Sequence, residues 1–172
     1  MASQPDPRRL LDLAVGVLRG AGYGFLTTVD GDGRPASRLV QPLDVDGDGA
    51  LRVGTSPRSR KAHHVAAQPV ATYACEDRDG YGYVAVRGPV VIRRDEELRR
   101  SVWREELELF FPEGPDGDDF VVLQLDPERI EVVHFVEGVH PEPHGLVPAV
   151  LERDGGAWRT RDAERAEEPA DG

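Results

Sequence analysis

A chain of 172 residues can bury roughly 70% of its unfolded surface, so one hydrophobic core suffices without covalent staples. Its formal net charge of −11 argues against an extended nucleic-acid interface, which needs a broad positive face. The single cysteine, Cys75, excludes an internal disulfide and reads, in its apolar run, as core filler.

The N-terminal stretch places Leu10, Leu11, Leu13, Ala14, Val17 and Leu18 at helical spacing behind Asp6 and Pro7, which predicts a capped helix over residues 7–20. Charges interrupt its apolar residues, so it reads as neither a secretory leader nor a membrane span, and a cytoplasmic location is expected. A strand over 23–29 follows, closed by Asp-Gly-Asp-Gly at 30–33. Further strands are expected at 36–45 and 50–54, separated by a second Asp-Gly-Asp-Gly turn. A short helix over 59–67 precedes strands at 70–76 and 81–92. Asp95 is placed to cap a helix running to about Phe110, with Leu98, Val102, Leu107 and Leu109 as its buried side.

Beyond the loop Phe-Phe-Pro-Glu-Gly-Pro-Asp-Gly-Asp-Asp come strands at 120–125 and 130–135, an irregular connection over 136–148, and a hairpin at 149–153 and 157–161. Many strands joined by tight turns, with few helices, predict a mainly β, α+β architecture: a closed barrel with helices packed outside it. We expect one domain over 1–161, with a barrel core at 22–136, and a loose acidic tail over 162–172.

The stretch 34–61 concentrates the chemistry. Arg38 lies on one predicted strand, and Thr55, Ser56, Ser59, Arg60 and Lys61 follow the next, so a hairpin brings hydroxyl and cationic donors together. Lys61 is the only lysine among the 21 basic side chains. A phosphate dianion is costly to desolvate, and charge-assisted hydrogen bonds with helix N-terminal amides are the groups that offset this. Asp44, Asp46, Asp48 and Gly49 have the offsets of a calcium loop, but its twelfth position is Thr55 rather than glutamate, so a hairpin turn is the better reading. His63 and His64 read as a solvated helix face beside Lys61, and His140 and His144, in an irregular stretch, lack partners for a metal or haem iron. Arg93, Arg94, Arg99, Arg100 and Arg104 interleave with acids and read as a salt-bridged exposed face.

The order of Arg38, an acidic hairpin, Thr-Ser-Pro-Arg-Ser-Arg-Lys and a short helix ending before Gln68-Pro69 resembles the FMN-binding split-barrel family that includes pyridoxamine 5′-phosphate oxidase. Tyr-Val-Ala-Val-Arg-Gly at 83–88, the Trp103 helix and Val-Val-Leu-Gln-Leu-Asp-Pro-Glu-Arg-Ile-Glu-Val-Val at 121–133 resemble its general-stress-protein branch. The resemblance spans about residues 22–135. It implies that Arg38, Thr55, Ser59, Arg60 and Lys61 hold the FMN phosphate. It also implies that Leu39, Val40 and Gln41 line the isoalloxazine, mainly through backbone groups, in two sites across a homodimer interface.

The implied activity is flavin-dependent oxidoreduction of a small molecule, with NAD(P)H as a candidate donor and no nucleic-acid or membrane partner. Departures bound the transfer. Leu43 stands where the true oxidases carry a lysine, Tyr83, counted here among the cofactor-binding candidates as a cover for one face of the ring, stands where they carry a flavin-contacting glutamine, and Trp158 to Arg161 match their C-terminal signature poorly. Pyridoxamine phosphate oxidation is therefore not expected. Two alternatives share the phosphate loop: a reductase using the deazaflavin cofactor F420, and a non-catalytic flavin- or haem-binding stress protein, haem being the less favoured cofactor.

Overall fold

The computed structural model of the chain describes residues 6–140 and 147–161. Helix α1 is Pro7–Gly20, its N-terminus closed by the Asp6 carboxylate accepting from the Arg9 amide at 3.0 Å. The strands are β1 (Gly24–Val29), β2 (Pro35–Val40), β3 (Asp44–Val45), β4 (Leu51–Thr55), β5 (Val70–Asp77), β6 (Gly82–Arg93), β7 (Val121–Leu125), β8 (Arg129–His134), β9 (Ala149–Asp154) and β10 (Ala157–Arg161). Helix α2 (Arg60–Ala67) joins β4 to β5, and α3 (Glu96–Val102) follows β6.

All ladders are antiparallel, in the order β10-β9-β8-β6-β5-β1-β2, and a second branch runs from β6 through β7 and β4 to β3. Strand β6 belongs to both branches because it bends. Its residues 82–87 pair with β8 and its residues 90–93 pair with β7 along the same edge. At the bend, the Asp126 amide donates to the Pro89 carbonyl and the Glu128 amide to the Arg87 carbonyl. The turn between β7 and β8 thus crosses directly over Gly88, where a Cβ would land on the Asp126 carbonyl oxygen. Only glycine permits that approach.

The barrel is a split one, as the family resemblance implies, and only the closure expected from the strand count is corrected: among the described residues no ladder joins β2 to β3 or β4. The cause is local. The strand expected over 36–45 breaks after Val40, because Pro42 has no amide to donate and restrains the residue before it. The chain leaves its partner β1, crosses the gap, and re-enters pairing at β3 beside β4.

The inward faces of the strands supply the core, including Leu26, Val53, Tyr73, Cys75, Val84, Val86, Leu123 and Ile130, and α1 covers it with Leu10, Leu11, Ala14 and Leu18. A smaller cluster joins Leu43, Val102, Phe120 and Val122, flanked by Leu98, Trp103, Leu107 and Phe111. That cluster explains a second correction. The helix expected to reach Phe110 stops at Val102, after which Trp103 and Arg104 are extended and Glu105–Leu109 forms a 3-10 turn. Trp103 sets its ring edge-on to Phe120, with centroids 5.1 Å apart, and Arg104 donates to the Leu43 carbonyl. Leu109, expected inside, is 83% exposed. Asp95 makes no side-chain cap and pairs instead with Arg93 at 2.9 Å. Arg99, expected on an exposed face, is buried and donates to the carbonyls of Gly117 and Phe120.

The acidic stretch after β3 is a hairpin turn. The Asp46 carboxylate accepts from the amides of Asp48 and Ala50, and Gly49 adopts a φ of 83°. His144 and the expected tail over 162–172 lie outside the described residues.

Candidate functional site

The split is where the chemistry collects. Arg38 stands opposite Leu26 in the β1–β2 register, so its side chain shares the inner face of the sheet at the open edge. Thr55 ends β4, buried, and its hydroxyl donates to the Ser59 hydroxyl oxygen at 3.0 Å. Ser59 in turn caps α2, accepting from the Ala62 amide at 3.3 Å. The amides of Arg60 and Lys61 lie in the first helical turn, where no intrahelical acceptor exists, and none is supplied by another described residue.

The charges of these cations act on one another. Burial, then the charge of Arg60, holds the Arg38 guanidinium below the ordinary arginine value. Burial, then Arg38, then Arg60, holds the Lys61 ammonium below the ordinary lysine value. Among the described residues no ion pair engages any of the three. Ion pairs among the described residues occupy basic groups elsewhere, so an acidic chain that leaves these three without a carboxylate there keeps a local positive site. Arg38 is held by one nitrogen only: Nη1 donates to the Leu26 carbonyl at 3.0 Å and to the Thr28 hydroxyl at 2.7 Å. Its Nε and Nη2 donors have no partner among the described residues.

The remaining predicted residues divide by face. Val40 is buried beside Arg38, whereas Leu39 points to the outer face and is 59% exposed, and Gln41 is exposed in the crossing segment. Tyr83 is on the outer face of β6, three strands from β2 along β2-β1-β5-β6. That is about 14 Å of sheet, so within one chain it does not meet Arg38 or Lys61. Leu43 faces away from the split, into the Phe120 cluster. His64 departs from the solvated reading: its Nδ1 lies 3.0 Å from the Thr28 hydroxyl. Thr28 was not singled out from sequence, since only the β1–β2 register reveals that this strand threonine sits beneath an arginine.

A sequence profile described as pyridoxamine 5′-phosphate oxidase matches residues 10–134. The chain belongs to that family. No curated protein sequence matches it. Among solved structures, an FMN-binding, pyridoxamine 5′-phosphate oxidase-related protein of Nostoc punctiforme is similar, with 21% identity, a TM-score of 0.70, and 92% of this chain and 97% of that one covered. General stress protein 26 of Bacillus anthracis has 22% identity and a TM-score of 0.63, with 72% and 93% covered. A protein of Listeria innocua described as a pyridoxamine 5′-phosphate oxidase has 26% identity and a TM-score of 0.61, with 72% and 98% covered. The oxidase family read from the sequence is thereby shown, and the likeness to general stress protein 26 is one of fold.

Proposed function

We propose that the protein binds FMN in the split and works as a flavin-dependent oxidoreductase on a small molecule. The observation that carries this reading is the meeting of Arg38, Arg60 and Lys61 at the capped start of α2 with no carboxylate among them. The free edge of Arg38 grips one side of a phosphate, Lys61 and Arg60 neutralise it, and the amides of the first helical turn complete the cradle. Bound there, the flavin supplies hydride-transfer chemistry, while the protein's part is binding, orientation and electrostatics. The main chain of residues 39–41 leaves the cradle along the split and lines the ring. Leu43, committed to the Phe120 cluster, puts no amine beside it, and this supports a substrate other than pyridoxamine phosphate.

Two copies of the chain complete the site. Leu39, Phe25, Ala74 and Ala85 lie in register across β2, β1, β5 and β6 on the outer face. Leu39 and Phe25, at 59% and 57% exposure, border the cradle, and a second copy against them brings its Tyr83 towards the ring.

The test is binding of FMN and riboflavin to the purified chain, followed by flavin fluorescence. Two charge-assisted contacts at roughly 1.5–3 kcal/mol each give FMN an advantage of about 10²–10⁴-fold. Arg38→Ala with Lys61→Ala is expected to abolish that advantage and leave riboflavin unchanged. Absence of FMN uptake by the wild-type chain overturns the reading, and displacement of FMN by F420 at lower concentration would replace it with the deazaflavin alternative.

A further inference from the structure

We infer that Thr28 and His64 are positioning residues of the cradle: a part-buried hydrogen-bonded relay that fixes which edge of Arg38 faces the split. The inference rests on the phosphate reading above and adds to it two residues that act through Arg38.

The argument is one of proton counting. Thr28 is 0% exposed, so its hydroxyl finds partners only within the protein. Arginine has no acceptor, and in the 2.7 Å contact it is Nη1 that donates to the Thr28 oxygen. The hydroxyl oxygen has a second lone pair, but a ring N–H donating into it would strand the buried hydroxyl proton, for which the described residues offer no acceptor besides His64 Nδ1 at 3.0 Å. The arrangement that satisfies every group has Nδ1 accept and places the ring proton on Nε2. The direction of the chain is set throughout: Arg38 donates to Thr28, and Thr28 donates to His64.

The second hydrogen of Nη1 goes to the Leu26 carbonyl. With both hydrogens of Nη1 consumed by β1, the guanidinium plane cannot swing, and the pair left over is Nε and Nη2, the parallel fork that matches two oxyanion oxygens. An arginine at the rim of a sheet otherwise samples many rotamers, and ordering it on binding weakens affinity. Here the ordering precedes the ligand. His64 contributes from behind, because without it the buried Thr28 proton lacks an acceptor and the hydroxyl reorients. The relay also ties α2, which carries Lys61 and His64, to β1 and β2, so both halves of the cradle share one reference point.

The experiment compares FMN and riboflavin affinities, by fluorescence titration of the full chain, for Thr28→Val, Thr28→Ser, His64→Ala and the Thr28→Val/His64→Ala pair. Valine keeps the shape and removes the hydroxyl, so FMN binding is expected to weaken about 3–10-fold, the worth of one hydrogen bond, with riboflavin unchanged. Serine restores wild-type binding. His64→Ala weakens FMN less, and the double variant is no worse than Thr28→Val, because His64 acts through Thr28. Nitrogen chemical shifts of His64 in the ligand-free protein should show Nε2 protonated and Nδ1 bare, with that preference lost in Thr28→Val. Unchanged FMN affinity in Thr28→Val, equal loss of both flavins, additive single effects, or a proton on Nδ1 overturns the relay. Should the valine variant not fold, His64→Ala and the wild-type tautomer decide. A wild-type chain that binds FMN no tighter than riboflavin sinks the phosphate reading instead, and the tautomer still reports whether the relay exists.

Discussion

At the scale of the residue, the site is held together against its own repulsion. Lys61 lies half-buried with Arg38 and Arg60 beside it, and all three causes acting on it, burial first, disfavour its charge. Because its folded value lies below the unfolded one, the unfolded chain binds more protons between the two. Stability therefore rises with pH across that window, which lies below the ordinary lysine value, and the penalty is fully present at pH below both values. Lys61→Met should accordingly stabilise the ligand-free protein while weakening FMN. Solvent screening at this half-exposed position keeps the gain small, so the expected sign is a modest rise in Tm. The accompanying loss of FMN affinity is about 10–100-fold. Thermal denaturation without ligand and flavin titration check the two halves, and a lower Tm in the variant would show that Lys61 supports the fold rather than the ligand.

At the scale of the element, each departure from the sequence reading traces to a tertiary contact that periodicity does not encode. Most strands and α1 were legible because alternation, the Asp6-Pro7 start and the Asp-Gly turns are local signals. Residues 105–110 have helix-forming composition, yet Trp103 is drawn onto Phe120 and the helix ends there. The anion stretch was legible as a cluster of residue types, whereas Thr28 is one threonine in an alternating strand until β1 and β2 are placed in register. Gly88 is similar: in the sequence it is a glycine before a proline, and in the fold it is where two branches of sheet separate. In Gly88→Ala the new methyl collides with the Asp126 carbonyl and lies 3.0 Å from the Glu128 amide nitrogen. Both obstacles are backbone, so the turn has to move. A loss of roughly 3 kcal/mol is expected from such overpacking, measured by urea denaturation. Gly16→Ala, in α1 with open space around it, is the control and should be neutral or slightly stabilising.

At the scale of the whole molecule, the outer face of the sheet connects the site to assembly. The cradle opens from the inner face at β2, yet the next residue, Leu39, points outward beside Phe25, so burying that face also shapes the entrance to the split. The charged groups on the same face are largely compensated within the chain: Arg129 pairs with both Glu131 and Glu152 at 2.8 Å. Arg87 on β6 has no ion pair among the described residues, but the part of the face beside the split, Leu39 and Phe25, is apolar, in a chain whose net charge of −11 otherwise favours separation. A two-fold contact places the same patch on both copies, so one substitution acts twice. In the dimer proposed above, Phe25→Glu with Leu39→Glu sets four carboxylates into the contact and should leave a monomer, as measured by sedimentation equilibrium. Arg38, Arg60 and Lys61 are untouched in that variant, so its preference for FMN over riboflavin should persist. Affinity for both flavins should fall together, because what is lost is the partner's cover over the ring. A wild-type chain sedimenting as a monomer with full FMN affinity would show that the split in one copy is a complete site, and that Tyr83 has no place in it.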